Sequence, residues 1–206
     1  MFYTVTSEFQ FDYRIRGSKF LGFLHHATSI NDAEKVRSVV KSEHPTATHH
    51  CYAFTVNPCE PVEMAADDGE PGGTAGLPIL NTLRSFQMMN VILIVVRYFG
   101  GTKLGKSGLI EAYRETAAGT ISQALLKKLI PLKTYRIVYD YALQGYIDKL
   151  KNDFPLTEID ATYLEKVELL LGCPFDDVFQ FETALLSKKH ILSNVEARGE
   201  SFLIKT

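Results

Sequence analysis

Val91-Ile-Leu-Ile-Val-Val-Arg-Tyr-Phe-Gly-Gly-Thr-Lys-Leu-Gly-Lys-Ser107 is the stretch on which the reading of this chain turns. Its last eight residues, 100–107, fit the phosphate-loop pattern G-x-x-x-x-G-K-[ST] without a mismatch. The apolar run 91–96 predicts a buried strand, and the residues from Ser107 onward predict an amphipathic helix. Taken alone, the stretch describes an ATPase or GTPase.

Its surroundings argue otherwise. A phosphate-loop enzyme needs a later strand ending in Asp to hold Mg²⁺. The nearest candidate, Ile137-Val-Tyr-Asp140, lies beyond Pro131 in what reads as another domain. Further parallel strands with crossover helices are also required, and the remaining sequence does not supply them. What survives is local chemistry. Glycines let backbone N–H groups converge, and a helix N-terminus adds about half a positive charge. Arg97, Gly100, Gly101, Lys103, Gly105, Lys106, Ser107 and Gly108 are therefore candidate anion or nucleic-acid contacts. A tight strand-to-helix turn, glycine-rich because backbones pack closely, explains the same residues equally well.

Eight of the 14 glycines fall between Gly69 and Gly108, and the others of that group belong to Asp67-Asp-Gly-Glu-Pro-Gly-Gly-Thr-Ala-Gly76. Glu70-Pro-Gly-Gly73 suits a type II turn with Gly72 at the position of positive φ. Asp67, Asp68 and Glu70 gather three carboxylates, enough for a Mg²⁺ site or acid/base work. The plainer reading, a turn whose carboxylates meet nearby Lys or Arg, is preferred. His49-His-Cys51 and Cys59 lack a C-x-x-C partner and predict neither zinc nor a nucleophilic pair. No metal and no cofactor is expected.

The 206 residues have room for one large domain or two small ones. Composition is ordinary for a globular protein, with 46% apolar and 22% charged residues. Apolar runs stay far below the about 20 residues of a membrane span. Three scattered cysteines and an N-terminus without a basic-then-apolar signal predict a cytoplasmic protein. Net charge is −2, with 13 basic against 12 acidic residues in 1–131 and 9 against 12 in 132–206. Nucleic-acid binding would then need a local patch.

Strands are predicted over 8–15, 19–27, 49–56 and 91–97. Helices are predicted from Asn31, capped by it with Glu34 three residues on, over 77–87, and over 107–128. Ile110, Tyr113, Ala117, Ile121 and Ala124 form the core stripe of the last helix, against a sheet covered by helices on one side. Pro131 is read as the end of that helix and the domain boundary. Beyond it, 135–141, 144–152, 157–164, 166–173, 176–189 and 194–204 give the βαββαβ order of a ferredoxin-like domain. Tyr135, Ile137, Tyr139 and Tyr141 share one face, assigned to core packing over base stacking, because the aromatic RNA-recognition signature is absent.

The sequence resembles the IMPACT/YigZ family, as a two-domain bacterial member. The resemblance rests on Arg16-Gly-Ser-Lys-Phe20, Ala47-Thr-His-His-Cys-Tyr-Ala53, the stretch 67–80, Val95-Val-Arg-Tyr-Phe-Gly-Gly-Thr-Lys-Leu-Gly105, Ser107-Gly-Leu109 and Ala112-Tyr113. In that family the position of Lys106 varies and that of Ser107 is Gly or Ser, so the phosphate-loop match is two permitted residues falling together. The resemblance implies an α+β protein. Residues 1–131 would form a ribosomal-protein-five second-domain-type β/α domain, shared with elongation factor G. Residues 132–206 would form a ferredoxin-like domain similar to that factor's last one.

Both relatives act on the ribosome, which implies an RNA or ribosome partner and a role in translation regulation. Eukaryotic relatives compete for the activator of a stress kinase through an added N-terminal domain without counterpart in this sequence, so that role is not carried over. No established catalysis comes with the bacterial members. The leading expectation is a non-enzymatic binding protein. The alternatives are a Mg-dependent phosphate-ester or nucleotide hydrolase and a protein-interaction module.

Overall fold

Arg16 and Gly17 both take positive φ, and this two-residue reversal joins β2 (Phe9–Ile15) to β3 (Ser18–His26) as a hairpin. From this hairpin the first sheet grows through β6 (Val91–Tyr98), β4 (His49–Val56) and β5 (Val62–Ala66), in the order β2-β3-β6-β4-β5. Every neighbouring pair is antiparallel. A strand feeding a phosphate loop sits in a parallel sheet, so the nucleotide reading fails on topology as well as on sequence. The computed structural model describes residues 2–205, and Met1 and Thr206, the outer ends of the two expected domains, lie outside them.

Helices cover this sheet on both faces, where one covered face was expected. Along β6, Val91, Leu93 and Val95 point to one side with Cys51 and Ala53. They pack there against Ile79 and Leu83 of α2 (Gly76–Ser85) and Leu109, Tyr113 and Ala117 of α3 (Gly105–Ser122). Ile92, Ile94 and Val96 point to the other side with Phe23, Tyr52 and Phe54, against Ala33 and Val40 of α1 (Ile30–Glu43). Burial on both faces is why the run is apolar without alternation.

Local details differ from expectation for physical reasons. The cap of α1 is Ser29, whose Oγ accepts from Asp32 N, so Asn31 lies inside the first turn. In α3 the outward Ile110 is exposed, Leu109, Ala112 and Thr116 join the buried face, and Ala124 lies past the helix end. Pro131 does not end that helix. It sits inside β7 (Lys127–Tyr139), where its fixed φ suits an extended chain. β1 (Phe2–Thr4) completes the elements before it, and Tyr3 exchanges backbone hydrogen bonds with Gln87 and Met89.

The chain divides into two compact units, one reaching to Lys128 and one spanning Leu129–Lys205. The second runs from β7 through α4 (Gln144–Asp153), β8 (Thr157–Tyr163), β9 (Val167–Pro174) and α5 (Val178–Ser187) to β10 (Asn194–Ile204). Its strands lie in the order β10-β7-β9-β8, all antiparallel. Tyr135, Ile137 and Tyr139 are buried against Ile147, Leu150, Phe181 and Leu185, while Tyr141 is exposed in the turn after β7. The protein is thus α+β in two units. No helix among the described residues is long and apolar enough to cross a membrane.

Candidate functional site

The two glycine-rich loops each lead into a helix, and they treat its free amides differently. In the first, Asp67 reaches forward and caps α2: Oδ1 accepts from Ala75 N at 3.0 Å and Gly76 N at 2.8 Å, and Oδ2 from Gly73 N at 2.8 Å. Burial pushes the Asp67 carboxyl up, but these three backbone donors outweigh it and hold it below its usual range. The turn here is Pro71–Thr74, closed by Thr74 N to Pro71 O, with positive φ at Gly73 in place of Gly72. Asp68 Oδ2 accepts from His50 N at 2.7 Å, and its carbonyl lies 2.8 Å from His49 Nδ1.

Glu70 turns inward. Its Oε1 accepts from Arg97 Nη1 at 2.6 Å and from the Tyr113 hydroxyl at 2.8 Å. The Glu70 and Arg97 side chains are only 3% and 6% exposed, so the pair is a buried one. The Arg97 guanidinium also lies over the rings of Phe20 and Phe99. The Cys51 thiol sits 2.9 Å from the Asp67 carbonyl oxygen and 3.3 Å from the Tyr113 hydroxyl. Burial, first of all, pushes both the Cys51 thiol and the Tyr113 phenol far above their usual ranges. A thiol held neutral is no nucleophile.

The acidic loop is therefore structural in each of its carboxylates. Asp67 caps a helix, Asp68 anchors β4, and Glu70 neutralises a buried arginine. No group of three or more His, Cys, Asp or Glu among the described residues is placed to hold a metal ion. At least one oxygen of each of Asp67, Asp68 and Glu70 faces a protein donor, which fits the preferred reading of a turn whose carboxylates are held by the protein.

The second loop is tied down at its start and open at its end. Phe99 N donates to Thr48 Oγ1 and Gly100 N to Ser18 Oγ. A Cβ on Gly100 would fall 1.8 Å from the Gly17 carbonyl carbon, so glycine is required there by backbone crossing backbone. Gly101 and Gly105 have positive φ. α3 then begins with Leu104 at the cap position, no side-chain cap and no acidic residue in its first turn. Gly101, Lys103, Gly105, Lys106 and Ser107 are exposed there, and Gly108 is half-buried.

Comparison with known proteins follows this geometry. Residues 16–121 match the model of the Impact N-terminal domain. An IMPACT family member of Haemophilus influenzae is 31% identical over 184 residues, covering 86% of this chain and 87% of the relative. The chain belongs to the IMPACT family. Its member YigZ of Escherichia coli is 32% identical over 173 residues, 83% of this chain and 85% of the other. A crystal structure of a protein described as hypothetical aligns over 96% of both chains, with a TM-score of 0.70 and 27% identity. Overlap with the two-domain translational regulator Yih1 is partial: 59% of this chain, 47% of that one, 24% identity and a TM-score of 0.38.

Of the residues expected to meet an anion in this IMPACT-family chain, the structure groups Lys103, Lys106 and Ser107 with the glycines around the start of α3. It removes two others. Arg97 is buried against Glu70, and the Gly100 amide is taken by Ser18. Tyr113 was legible as part of an apolar stripe and of the family motif, but not as a hydrogen-bonding group. A buried tyrosine needs a partner for its hydroxyl, and that requirement is the signal pointing to Glu70.

Proposed function

We propose that this chain is a non-enzymatic binding protein acting in regulation of translation, and that it contacts phosphate groups of ribosomal or other structured RNA at the start of α3. One observation carries the reading. Of the two helices that begin beside glycine-rich loops, α2 has its amides capped by the Asp67 carboxylate, while α3 has none and carries exposed Lys103 and Lys106 instead. An uncapped helix start with flanking lysines suits a phosphate. Arg97 and the Gly100 amide are left out of the contact set, since each is already paired. The family resemblance favours the translational setting, and the three scattered cysteines favour a cytoplasmic location. The β10-β7-β9-β8 order favours a ferredoxin-like assignment for the second unit, and the resemblance favours the ribosomal-protein-five type for the first.

Ribosome co-sedimentation over a salt series tests this. Lys103→Ala with Lys106→Ala should lower the bound fraction and flatten the slope of log K against log salt by about 1.4–1.8, two phosphate contacts' worth. Unchanged sedimentation in the double variant rejects the site. Calorimetry with Mg²⁺-ATP and Mg²⁺-GTP addresses hydrolysis separately, and the absence of heat at millimolar nucleotide would reject the hydrolase.

A further inference from the structure

The two helices of the second unit lie on the same sheet yet present different outer surfaces. On α4 the exposed positions are Gly145, Asp148, Lys149, Asn152 and Asp153, as water requires. On α5, Phe181 and Leu185 already face the core. Its opposite side nevertheless shows Phe179 at 81% and Leu186 at 60% exposure, with Phe175 exposed just ahead. Phe175, Phe179, Thr183 and Leu186 follow one another at helical spacing and form a stripe. A helix apolar on both sides is one that is covered on both sides.

The charges beside the stripe say what covers it. Asp176 and Asp177 sit at the N-terminal end, and Lys188 follows the C-terminal end. None of the three joins an ion pair among the described residues. Two copies of this helix laid antiparallel about a twofold axis near its midpoint bring Phe179 of each against Leu186 of the other. The same operation sets the acidic start of each against Lys188 of its partner. A parallel arrangement, by contrast, would set like charges together. An isologous interface requires a patch complementary to itself, and this stripe meets that requirement in both its apolar and its charged residues.

We propose that the outer face of α5 is a homodimer interface, formed by antiparallel pairing with α5 of a second copy of this chain. One helix face is small beside the roughly 1,200–2,000 Å² of a standard interface, so association is weak and concentration-dependent.

Light scattering on the 206-residue chain across a dilution series is the test. The mass should rise from one chain towards two with concentration. Phe179→Glu with Leu186→Glu should hold it at one chain with an unchanged circular-dichroism spectrum, since both side chains face solvent in the single chain. Asp176→Lys should weaken the dimer, and Asp176→Lys with Lys188→Asp should restore it. A single-chain mass up to the solubility limit overturns the proposal. So does a dimer indifferent to the two glutamates, or a charge exchange that fails to restore pairing.

Discussion

Removing the carboxylate of Glu70 tests the central claim about the site, that the first glycine-rich loop neutralises a buried cation. In Glu70→Ala the Arg97 guanidinium keeps its charge, because arginine is not deprotonated in proteins. It is enclosed by Phe20 and Phe99, and its Nε has no partner among the described residues even in the intact protein. Breaking a buried pair on one side costs about 3–5 kcal/mol. The Tyr113 hydroxyl loses its acceptor in the same step. Glu70→Gln retains shape and an acceptor but not the charge, and should cost about 1.5–3 kcal/mol. Arg97→Met added to Glu70→Ala removes the stranded charge and should recover much of the loss.

Urea unfolding followed by circular dichroism gives the four free energies needed for a double-mutant cycle. The expected result is a coupling of at least about 2 kcal/mol, with the double variant more stable than Glu70→Ala alone. A cost below about 1 kcal/mol for Glu70→Ala would refute the reasoning. Equal damage from the double variant and the sum of the singles would refute it too, because the pair would then be uncoupled.

Other consequences are simpler to read. Gly100→Ala forces a methyl group into the Gly17 backbone and should destabilise the protein by about 3 kcal/mol or more, measured as a shift in the urea midpoint. Asp67 has a folded-state pKa below its unfolded value of about 3.9, so its stabilisation is full above that pH and is lost as pH falls through the folded value. Asp67→Asn should accordingly be less stable at neutral pH and lose less stability on acidification, which an acid-unfolding series will show. A thiol reagent should label the exposed Cys59 quickly. Cys51 and Cys173 should react only on unfolding, since both are buried and burial holds the Cys173 thiol up at about 11.

Long elements with a clear pattern were legible in the sequence. His49–Val56 and the strand from Val91, placed to within one residue of its end, needed only their apolar content and their flanking turns. β5 was missed because Val62–Ala66 is short, mostly exposed and at a sheet edge, where no side needs to be apolar. The end of α3 was misplaced because Leu125 and Leu126 continue an apolar pattern, although both side chains are exposed. At the site, residue types pointed to charge but not to its partner. Arg97 looked like a phosphate ligand, and Glu70 was preferred as a turn carboxylate meeting some Lys or Arg; only the fold identifies that partner as Arg97, 27 positions away in one buried pair. The cap by Asp67 escaped notice for a related reason. It serves amides eight and nine residues ahead, far from the usual cap spacing of two or three.

The crossing of Gly17 and Gly100 limits how this loop could be redesigned. Residue 100 shares its space with the tip of a hairpin 83 positions earlier, so a larger residue there cannot be accommodated by reshaping the loop alone. Beyond the crossing the restriction lifts: a Cβ at Gly101 or Gly105 would meet no atom within 4 Å, although their left-handed backbone still favours glycine. A library that varies Thr102, Lys103 and Lys106 while leaving Gly17 and Gly100 alone would therefore probe the proposed phosphate contact without disturbing the scaffold that holds the loop.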